Sequence, residues 1–327
     1  MAQLATVRGQ VDTAELGQTL MHEHIFVLGA DMQNNYPEEW GSEEERVADA
    51  IAKLSGLADL GVRTIVDPTV VGLGRYLPRI QRIAEQVDLN IVVATGVYTY
   101  GDAPFYFRYR GLDRGQPDPM VAMFVRDIAH GIARTGVRAG LLKCAIEDQG
   151  MSAGVERVLR AVAAAHRETG TPIMVHTHPR TRQGLAVAGV LDELGVDPRR
   201  VLLAHSGDSS DADHLQDLAS RGFLLGMDRF GANLQMSFEA RADIVIEMCR
   251  RGFAEQMVLS QDASCYIDWI DPAMMALLPQ WHYRHIHTDV LPYLRAHGVS
   301  EEQIQTMLVS VPRRYFETAG TSSTGTS

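Results

Sequence analysis

The chain has 327 residues, a length that could hold two domains but that a single (β/α)8 barrel commonly occupies. Its composition, 46% hydrophobic and 22% charged, is that of a globular protein able to bury a large core. The formal net charge of −11 argues against a nucleic-acid or anionic-membrane partner, because either partner needs a basic face.

The cysteines and the N-terminal segment bear on the compartment. Cys144, Cys249 and Cys265 are too few and too scattered for a disulfide framework, and an odd number fits a reducing environment. The N-terminal segment lacks a basic stretch followed by an apolar one, and no run approaches the roughly 18 apolar residues of a membrane span. We therefore expect a cytoplasmic protein that makes no membrane contact.

Short apolar segments alternate with longer amphipathic ones along the whole chain. The predicted strands are, in order, "QTLMHEHIFV", "VRTIVDPTV", "NIVVATGVYT", "AGLLKCAIE", "PIMVHTH", "VLLAHSG", "GFLLGMDRF" and "QMVLSQDA". Each is a nearly continuous hydrophobic run, which is typical of parallel strands covered on both faces. Helical patterns lie between them, and the first of these opens with Ser42 and Glu45, a plausible capping box.

Eight strands with intervening helices and no break in composition predict an α/β protein, a single (β/α)8 TIM barrel over residues 1–318. A doubly wound open sheet is the alternative, but no Gly-rich phosphate motif follows the first strand. Residues 265–290 form a long apolar loop after strand eight that could roof a pocket. Residues 319–327 are of low complexity, and we predict that they are disordered.

Polar residues recur where the active site of such a barrel is built, at the C-terminal ends of the strands. They are His22 and His24 on strand one, Lys143 on strand four, His176 on strand five, His205 on strand six and Asp262 on strand eight. Residues i and i+2 of a strand face the same side, so both histidines of the first pair can point into the barrel mouth. Imidazoles and a carboxylate are the ligands expected for zinc or a similar first-row cation.

Two further His-x-His pairs occur, and their spacing alone is weak evidence for a metal site. His285 and His287 lie in a segment that we predict to be helical, where i and i+2 point apart, so we interpret them as solvated or packing residues. His178 lies just past a strand end, and this position is compatible both with a functional role and with that of an ordinary loop residue. The specific signal is the set of six residues at the strand ends.

Lys143 is the unusual member of that set. A buried lysine tends to lose its proton, and the neutral amine can react with carbon dioxide to form a carbamate, an anionic ligand able to bridge two cations. The alternative is an ordinary ion pair between Lys143 and the nearby Glu147 or Asp148. The residue chemistry by itself leaves both interpretations open.

The motifs "MHEH", "GLLKCAIE", "MVHTH", "LLAHSGD", "GMDRFG" and "LSQDASC" resemble those of the phosphotriesterase-like lactonases, members of the amidohydrolase superfamily. The resemblance runs from about residue 5 to residue 317 and keeps the motif order. It implies a homodimer with two divalent cations per chain, zinc foremost, with iron, cobalt or manganese as alternatives. It further implies that His22, His24 and Asp262 hold the more buried cation and that His176 and His205 hold the more exposed one. Carbamylated Lys143 and a hydroxide would bridge the two cations.

The same resemblance indicates a substrate class. Lactonase members carry a Tyr and an Arg where this chain has Tyr98 and Arg229, and the loop with Trp269 and "PQWHYRHIH" resembles the lactonase acyl-chain channel. We therefore predict a quorum-quenching lactonase that hydrolyses N-acyl homoserine lactones and related γ/δ-lactones, with weaker phosphotriesterase activity. The alternatives are a dedicated phosphotriesterase or carboxylesterase on the same site. A non-catalytic binding protein would have lost a ligand position, and all six are present.

Roles for the remaining residues follow as hypotheses. Asp262 would take the proton of the attacking hydroxide and pass it to the leaving alkoxide, and Tyr98 would hydrogen-bond a substrate oxygen. Arg229 would order the mouth by pairing with a loop acid. The expected pocket residues are Val27, Leu73, Trp269 and Trp281. Asp208 and Asp228 could orient His205 or cap strand ends, whereas Glu23 should point away and have no catalytic role.

Overall fold

The computed structural model describes residues 2–111, 115–178 and 182–317. The chain begins with an antiparallel hairpin of β1 (Gln3–Thr6) and β2 (Gly9–Asp12). The amide of Val7, in the turn of this hairpin, donates to the carbonyl of Ile91 at 2.9 Å, which anchors it to a strand of the main sheet.

Eight parallel strands form the main sheet and confirm the predicted (β/α)8 barrel. The strands after the hairpin are β3 (Gln18–Leu20), β4 (His24–Val27), β5 (Val62–Asp67), β6 (Asn90–Gly96), β7 (Leu141–Ile146), β8 (Ile173–Thr177), β9 (Val201–Ala204), β10 (Leu224–Met227), β11 (Met257–Leu259) and β12 (Ser264–Ile267). The order in the main sheet is β3, β5, β6, β7, β8, β9, β10 and β11, and every neighbouring pair is parallel. Strands β4 and β12 form a separate parallel pair at the mouth.

Helices follow the strands around the outside of the barrel. They are α1 (Ala30–Asn35), α2 (Glu43–Ala58), α3 (Leu77–Ala84), α4 (Phe105–Arg108), α5 (Pro119–Ala129), α6 (Ala153–Thr169), α7 (Gln183–Glu193), α8 (Ala212–Ser220), α9 (Phe238–Arg250), α10 (Pro272–Met275), α11 (Leu291–Ala296), α12 (Glu301–Gln305) and α13 (Val311–Glu317). The Ser42 side chain caps α2 by accepting from the amide of Glu45 at 3.3 Å, which is one half of the predicted capping box.

Apolar side chains pack in two layers, one on each side of the strands. The inner layer fills the barrel with residues such as Val66, Val92, Met174 and Leu202. The outer layer packs the opposite strand faces against the helices. Burial on both faces explains why the strand sequences are continuous hydrophobic runs rather than alternating ones.

The prediction of one continuous first strand over "QTLMHEHIFV" is wrong. Strand β3 ends at Leu20, a bend carries His22 and Glu23, and His24 begins β4. The strand is interrupted because the two amides in the bend do not take part in a regular series of strand-to-strand hydrogen bonds. The amide of His22 donates to Ser260 Oγ at 2.9 Å, and the amide of Glu23 donates to the carbonyl of Val66 at 2.9 Å. The strand-periodicity argument for His22 and His24 therefore fails, although both side chains still reach the mouth.

The two ends of the main sheet are joined at the mouth by the same bend. The amide of Asp262 donates to the carbonyl of His22 at 3.0 Å, and that of His24 donates to the carbonyl of Ala263 at 2.8 Å. The predicted disordered tail, residues 319–327, lies outside the described residues. None of the helices in the described ranges has the length and apolar character needed to span a bilayer.

Candidate metal centre

His22, His24 and Asp262 meet at the floor of the barrel mouth. Asp262 Oδ1 lies 3.3 Å from Nε2 of His22 and 3.3 Å from Nε2 of His24. Asp262 follows β11 by three residues and has a φ of +53°, a left-handed conformation that is uncommon for a residue other than glycine. One carboxylate oxygen is thereby presented to two inward-facing imidazole nitrogens.

His176 and His205 complete the cluster from the neighbouring strands. His176 lies on β8, and His205 directly follows β9 with a φ of +64°. Nδ1 of His176 and Nε2 of His205 face each other at 2.9 Å, and His205 Nε2 is 3.8 Å from Asp262 Oδ2. The four histidines and Asp262 that the sequence singled out are therefore within reach of one another.

The outward nitrogen of each histidine is held by a protein oxygen. Asp228 serves two rings, since its Oδ2 is 2.9 Å from His22 Nδ1 and its Oδ1 is 3.0 Å from His205 Nδ1. His24 Nδ1 lies 2.7 Å from Thr69 Oγ1, and His176 Nε2 lies 3.2 Å from a Glu147 oxygen. Each of these oxygens accepts a hydrogen bond from the outward nitrogen of its ring. The inward nitrogen of the neutral ring is then unprotonated and free to bind a metal. Of the two acids proposed to orient His205, only Asp228 contacts it.

Burial sets the protonation states of the cluster. It lowers the pKa of His22 to about 4 and lowers the pKa values of His176 and His205 as well. For Asp262, burial alone would raise the pKa, but the neighbouring His22, His24 and His205 outweigh it and hold that pKa well below its usual range. Neutral imidazoles and an ionised carboxylate are the forms that bind a metal.

This donor set fits divalent cations. His22, His24 and Asp262 each offer a ligand atom, and the three atoms lie within 4.8 Å of one another. Because the outward nitrogens of both neutral rings face carboxylates, His176 Nδ1 and His205 Nε2 present lone pairs to each other across 2.9 Å, and a cation bound by both nitrogens would remove that repulsion. A second compact group consists of His22, His205 and Asp228. Asp228 contacts the outward nitrogens of both rings, so it orients the histidines and does not face the cavity side of the cluster.

Lys143 lies on β7 with its side chain almost fully buried. Burial lowers the pKa of Lys143 to about 8, and its Nζ contacts Met174 Sδ at 3.3 Å. The alternative ion pair is not formed in this structure: Glu147 binds Tyr98 and His176, and Asp148 accepts from the Tyr100 hydroxyl at 2.7 Å. A buried amine that forms no ion pair with any of the described residues fits the chemistry that carbamate formation requires.

Tyr98 and Glu147 form one wall of the cluster. The Tyr98 ring packs edge-on against His176, with 5.3 Å between centroids, and its hydroxyl donates to a Glu147 oxygen. Burial alone would raise the pKa of Glu147, but its contacts with His176 and Tyr98 lower that pKa to about 2. The sequence suggested only that Glu147 could pair with Lys143. No local sequence pattern indicates that its partner is His176 on the next strand.

Arg229 lies between two carboxylates. Its NH1 is 3.0 Å from Asp208 Oδ2, and its Nε is 3.4 Å from Asp262 Oδ2. Asp208 in turn accepts from Nε of the buried Arg241 at 2.6 Å. The predicted pairing of Arg229 with a loop acid is therefore present, and Asp208 binds arginines rather than His205.

Glu23 has a buried, hydrogen-bonded position that its sequence pattern alone did not indicate. Its carboxylate accepts hydrogen bonds from the segment Ser260–Ala263 and contacts none of the inward-facing nitrogens. Burial raises the pKa of Glu23 to about 8, and the four hydrogen bonds oppose that rise. A charged residue inside the apolar run "LMHEHIFV" was the available signal, since an acid there must be hydrogen-bonded.

A cavity of about 410 Å³ opens above the cluster. All four predicted pocket residues, Val27, Leu73, Trp269 and Trp281, line it, together with Leu234, Ile267, Ile270, Leu278 and the cluster residues other than His205. His178 also lines the cavity. His285 Nδ1 instead lies 3.0 Å from Asp289, and His287 Nε2 lies 2.9 Å from Gln18, so this pair has the packing role that we expected.

The fold and the cluster define a (β/α)8-barrel protein with His and Asp groups that could hold metal at its mouth. The model of the phosphotriesterase family matches residues 2–316. The phosphotriesterase homology protein of Mycobacterium tuberculosis is 54% identical over 323 residues, which covers 98% of this chain and 99% of the relative. The aryldialkylphosphatase of Saccharolobus solfataricus is 33% identical over 312 residues, covering 94% and 98%.

A solved structure agrees with these matches. The structure of the phosphotriesterase from Mycobacterium tuberculosis superposes with a TM-score of 0.94 at 55% identity, covering 96% of this chain and 98% of that one. The chain therefore belongs to the phosphotriesterase family and is a hydrolase of that family. The resemblance inferred from the motifs is confirmed at the level of the phosphotriesterase family.

Proposed function

We propose that this hydrolase is a metal-dependent lactonase that acts on N-acyl homoserine lactones and related γ/δ-lactones, with weaker activity on phosphotriesters. The observation that carries the proposal is the convergence of four histidines, Lys143 and Asp262 at the floor of an apolar-walled cavity. A polar floor suits a hydrolysable carbonyl, and an apolar wall suits the acyl chain of such a lactone.

The residues of the cluster would hold two divalent cations, zinc foremost, with iron, cobalt or manganese as alternatives. His22, His24 and Asp262 would bind one, His176 and His205 the other, and Lys143 would reach both as a carbamate. When bound, the cations would polarise the carbonyl and lower the pKa of the attacking water. The neutral imidazoles, the ionised Asp262 and the amine of lowered pKa at Lys143 support this assignment.

Asp262 and Tyr98 have the positions to handle the proton and the developing charge. Asp262 Oδ2 lies on the Arg229 side, away from His22 and His24, and would carry a proton from the nucleophile to the leaving alkoxide. The Tyr98 hydroxyl, which binds Glu147 in the free site, would donate instead to a substrate oxygen. Arg229 would keep Asp262 ionised and oriented through its simultaneous contact with Asp208.

The cavity walls support the choice of substrate. Trp269 is about half exposed, and its ring lies 5.7 Å from that of Tyr98, so the two aromatic rings flank the entrance. Trp281 is held by a 2.9 Å hydrogen bond from its indole nitrogen to the carbonyl of Gln261, next to Asp262. An acyl chain passing these rings would be positioned relative to the proton-transferring carboxylate.

A phosphotriester is the second candidate substrate, because one relative at 33% identity is named an aryldialkylphosphatase. The tetrahedral phosphorus of a triester resembles the tetrahedral intermediate of lactone hydrolysis, so one site can serve both reactions. Tyr98 and Arg229 at the mouth, as in lactonases, favour the lactone as the better substrate. The proposal also includes a homodimer, on family resemblance alone.

The substrate assignment is tested by measuring kcat/KM on an N-acyl homoserine lactone, a δ-lactone and paraoxon with metal-replete protein. We expect the lactones to exceed paraoxon by at least about tenfold, which corresponds to roughly 1.4 kcal/mol in the transition state. A higher value for paraoxon would reverse the assignment in favour of a dedicated phosphotriesterase.

The chemical assignment is tested by Asp262→Asn, which keeps the side-chain shape but removes both the proton acceptor and the charge of a proposed metal ligand. We expect lactone kcat to fall by roughly 10²- to 10⁴-fold with the fold intact, as measured by pH-drop assay and circular dichroism. The matched control is Asp217→Asn, which alters an exposed carboxylate paired with Arg221 on α8 and should leave kcat unchanged. Near wild-type turnover by Asp262→Asn would contradict the mechanism.

A further inference from the structure

Glu23 makes an unusually complete set of hydrogen bonds for a buried acid. Its Oε1 accepts from Ser260 Oγ at 2.9 Å, from the amide of Gln261 at 2.9 Å and from Gln261 Nε2 at 3.2 Å, and its Oε2 accepts from the amide of Ala263 at 3.1 Å. The two Glu23 oxygens thus accept four hydrogen bonds from one segment, Ser260–Ala263, which is about the acceptor capacity of a carboxyl group. Burying such a group is costly without this satisfaction, which implies a specific use.

The segment that Glu23 binds is strained at Asp262. A residue other than glycine with a φ of +53° costs on the order of 1 kcal/mol and persists only where its surroundings hold it. The amides on both sides of Asp262, those of Gln261 and Ala263, donate to Glu23. The amide of Asp262 itself donates to the carbonyl of His22. Three successive N–H groups are thus bound by two adjacent residues of the "MHEH" bend.

We propose that Glu23 is a positioning residue that holds Asp262 in its left-handed conformation. In that conformation one Asp262 oxygen faces His22 and His24, and the other faces Arg229. If the segment relaxed, both orientations would be lost together, because a single backbone geometry sets them. The acid between the two histidines therefore acts through Asp262 and does not itself touch substrate or metal.

The contacts of Glu23 affect both the conformation of Asp262 and the order of the cavity wall, and these two effects can be measured independently. Gln261 connects Glu23 to the cavity wall. Its carbonyl accepts a hydrogen bond from the Trp281 indole, and its Oε1 accepts one from the amide of Ile286 at 2.8 Å. A change at Glu23 that spares the Gln261 contacts should leave the wall in place. We therefore expect such a change to lower kcat more than it raises KM.

The test variant is Glu23→Gln, which keeps one oxygen for the three donors at Oε1 but places an NH2 group opposite the amide of Ala263. Two donors then face each other, and the C-terminal side of Asp262 is released. The matched control is Asp127→Asn, the same chemical change in a buried acid away from the site, which binds Thr95 Oγ1 at 2.8 Å and Arg75 at 3.0 Å. A purely structural role for Glu23 predicts that both variants behave alike.

Four measurements distinguish the variants: metal content after dialysis against a weak chelator, the absorption spectrum of the cobalt-loaded protein, kcat and KM on a δ-lactone, and melting temperature. For Glu23→Gln we expect metal affinity and kcat to fall by roughly 10- to 100-fold, with a changed cobalt spectrum and KM within about threefold. For Asp127→Asn we expect only a lower melting temperature.

The proposal rests on the proposed metal-dependent function for its metal and activity readouts, and the two can fail separately. If wild-type protein binds no divalent cation, the proposed function fails, and a crystal structure of Glu23→Gln still decides the role of Glu23. We expect Asp262 to leave its left-handed conformation in that structure. An unchanged Asp262, or metal content, spectrum and kcat equal to those of wild type, would overturn the proposal.

Discussion

At the scale of single residues, the site is defined by which nitrogen of each imidazole faces inward. Asp228 alone holds the outward nitrogens of His22 and His205, so one buried carboxylate orients two histidines from strands far apart in the chain. Because the rings are buried, their neutral forms are favoured. This makes the cluster sensitive to acid before any metal is bound.

His22 should make the metal-free protein less stable as the pH falls. Its pKa is about 4 in the folded chain and 6.5 when exposed, so between these values the unfolded state binds more protons. We expect its contribution to the free energy of unfolding to be present above pH 6.5 and to decline by about 3 kcal/mol by pH 4. Urea titrations of chelator-treated protein at several pH values measure this decline.

The matched variant for this pH series is His22→Asn, which cannot titrate. Its free energy of unfolding should vary less steeply with pH than that of wild type by the same amount, whatever its stability at pH 7. Parallel curves for the two proteins would show that His22 does not carry the effect.

At the scale of elements, two strands must approach closely for Lys143 to reach the cluster. Gly96 ends β6 and pairs with Lys143 of β7 in the sheet register. It has a φ of +151°, and a Cβ on it would lie 1.8 Å from the carbonyl oxygen of Lys143. Glycine is required here because no side chain fits between the two backbones.

Gly96→Ala should therefore displace β7 and with it Lys143. We expect a loss of about 3 kcal/mol or more in the free energy of unfolding, together with reduced metal content. Gly56→Ala is the control, since that glycine lies inside α2, a Cβ on it meets no atom within 4 Å, and alanine favours helix by up to about 1 kcal/mol. Urea unfolding measures the free energy of unfolding of both variants. Equal values for the two would contradict the requirement for glycine at position 96.

At the scale of the whole molecule, the barrel is joined at its mouth by the same residues that form the cluster. Asp262 follows the last sheet strand and His22 follows the first, and their backbones are hydrogen-bonded. A ligand held by both segments would therefore link the two ends of the sheet. Metal binding and barrel stability should be coupled.

Removal of metal should accordingly lower both activity and thermal stability. A ligand present at 100 times its Kd stabilises the folded state by about 2.7 kcal/mol, so chelator-treated protein should melt several degrees lower and regain its melting temperature on addition of zinc or cobalt. Calorimetry with and without chelator measures the shift, and chelator presaturated with calcium serves as the control. Unchanged melting and hydrolysis after verified metal removal would exclude the metal-dependent function.

The sequence by itself determined the class of fold and the members of the cluster. Continuous hydrophobic runs separated by amphipathic segments indicated eight covered parallel strands, since both signals depend only on residues near one another in the chain. The rule that such barrels place polar groups at the strand ends then selected His22, His24, Lys143, His176, His205 and Asp262, and the structure brings them to one mouth.

Only the tertiary structure decided how those groups are held. The break after Leu20, the left-handed backbone at Asp262, the burial of Lys143 against Met174 and the pairing of Arg229 with Asp208 all depend on contacts between distant segments. Glu23 shows this most clearly, because its hydrogen-bond partners lie 237 to 240 positions further along the chain. Local patterns carry information about periodicity and burial, whereas the partner of a buried polar group is determined by which segments the folded barrel places side by side.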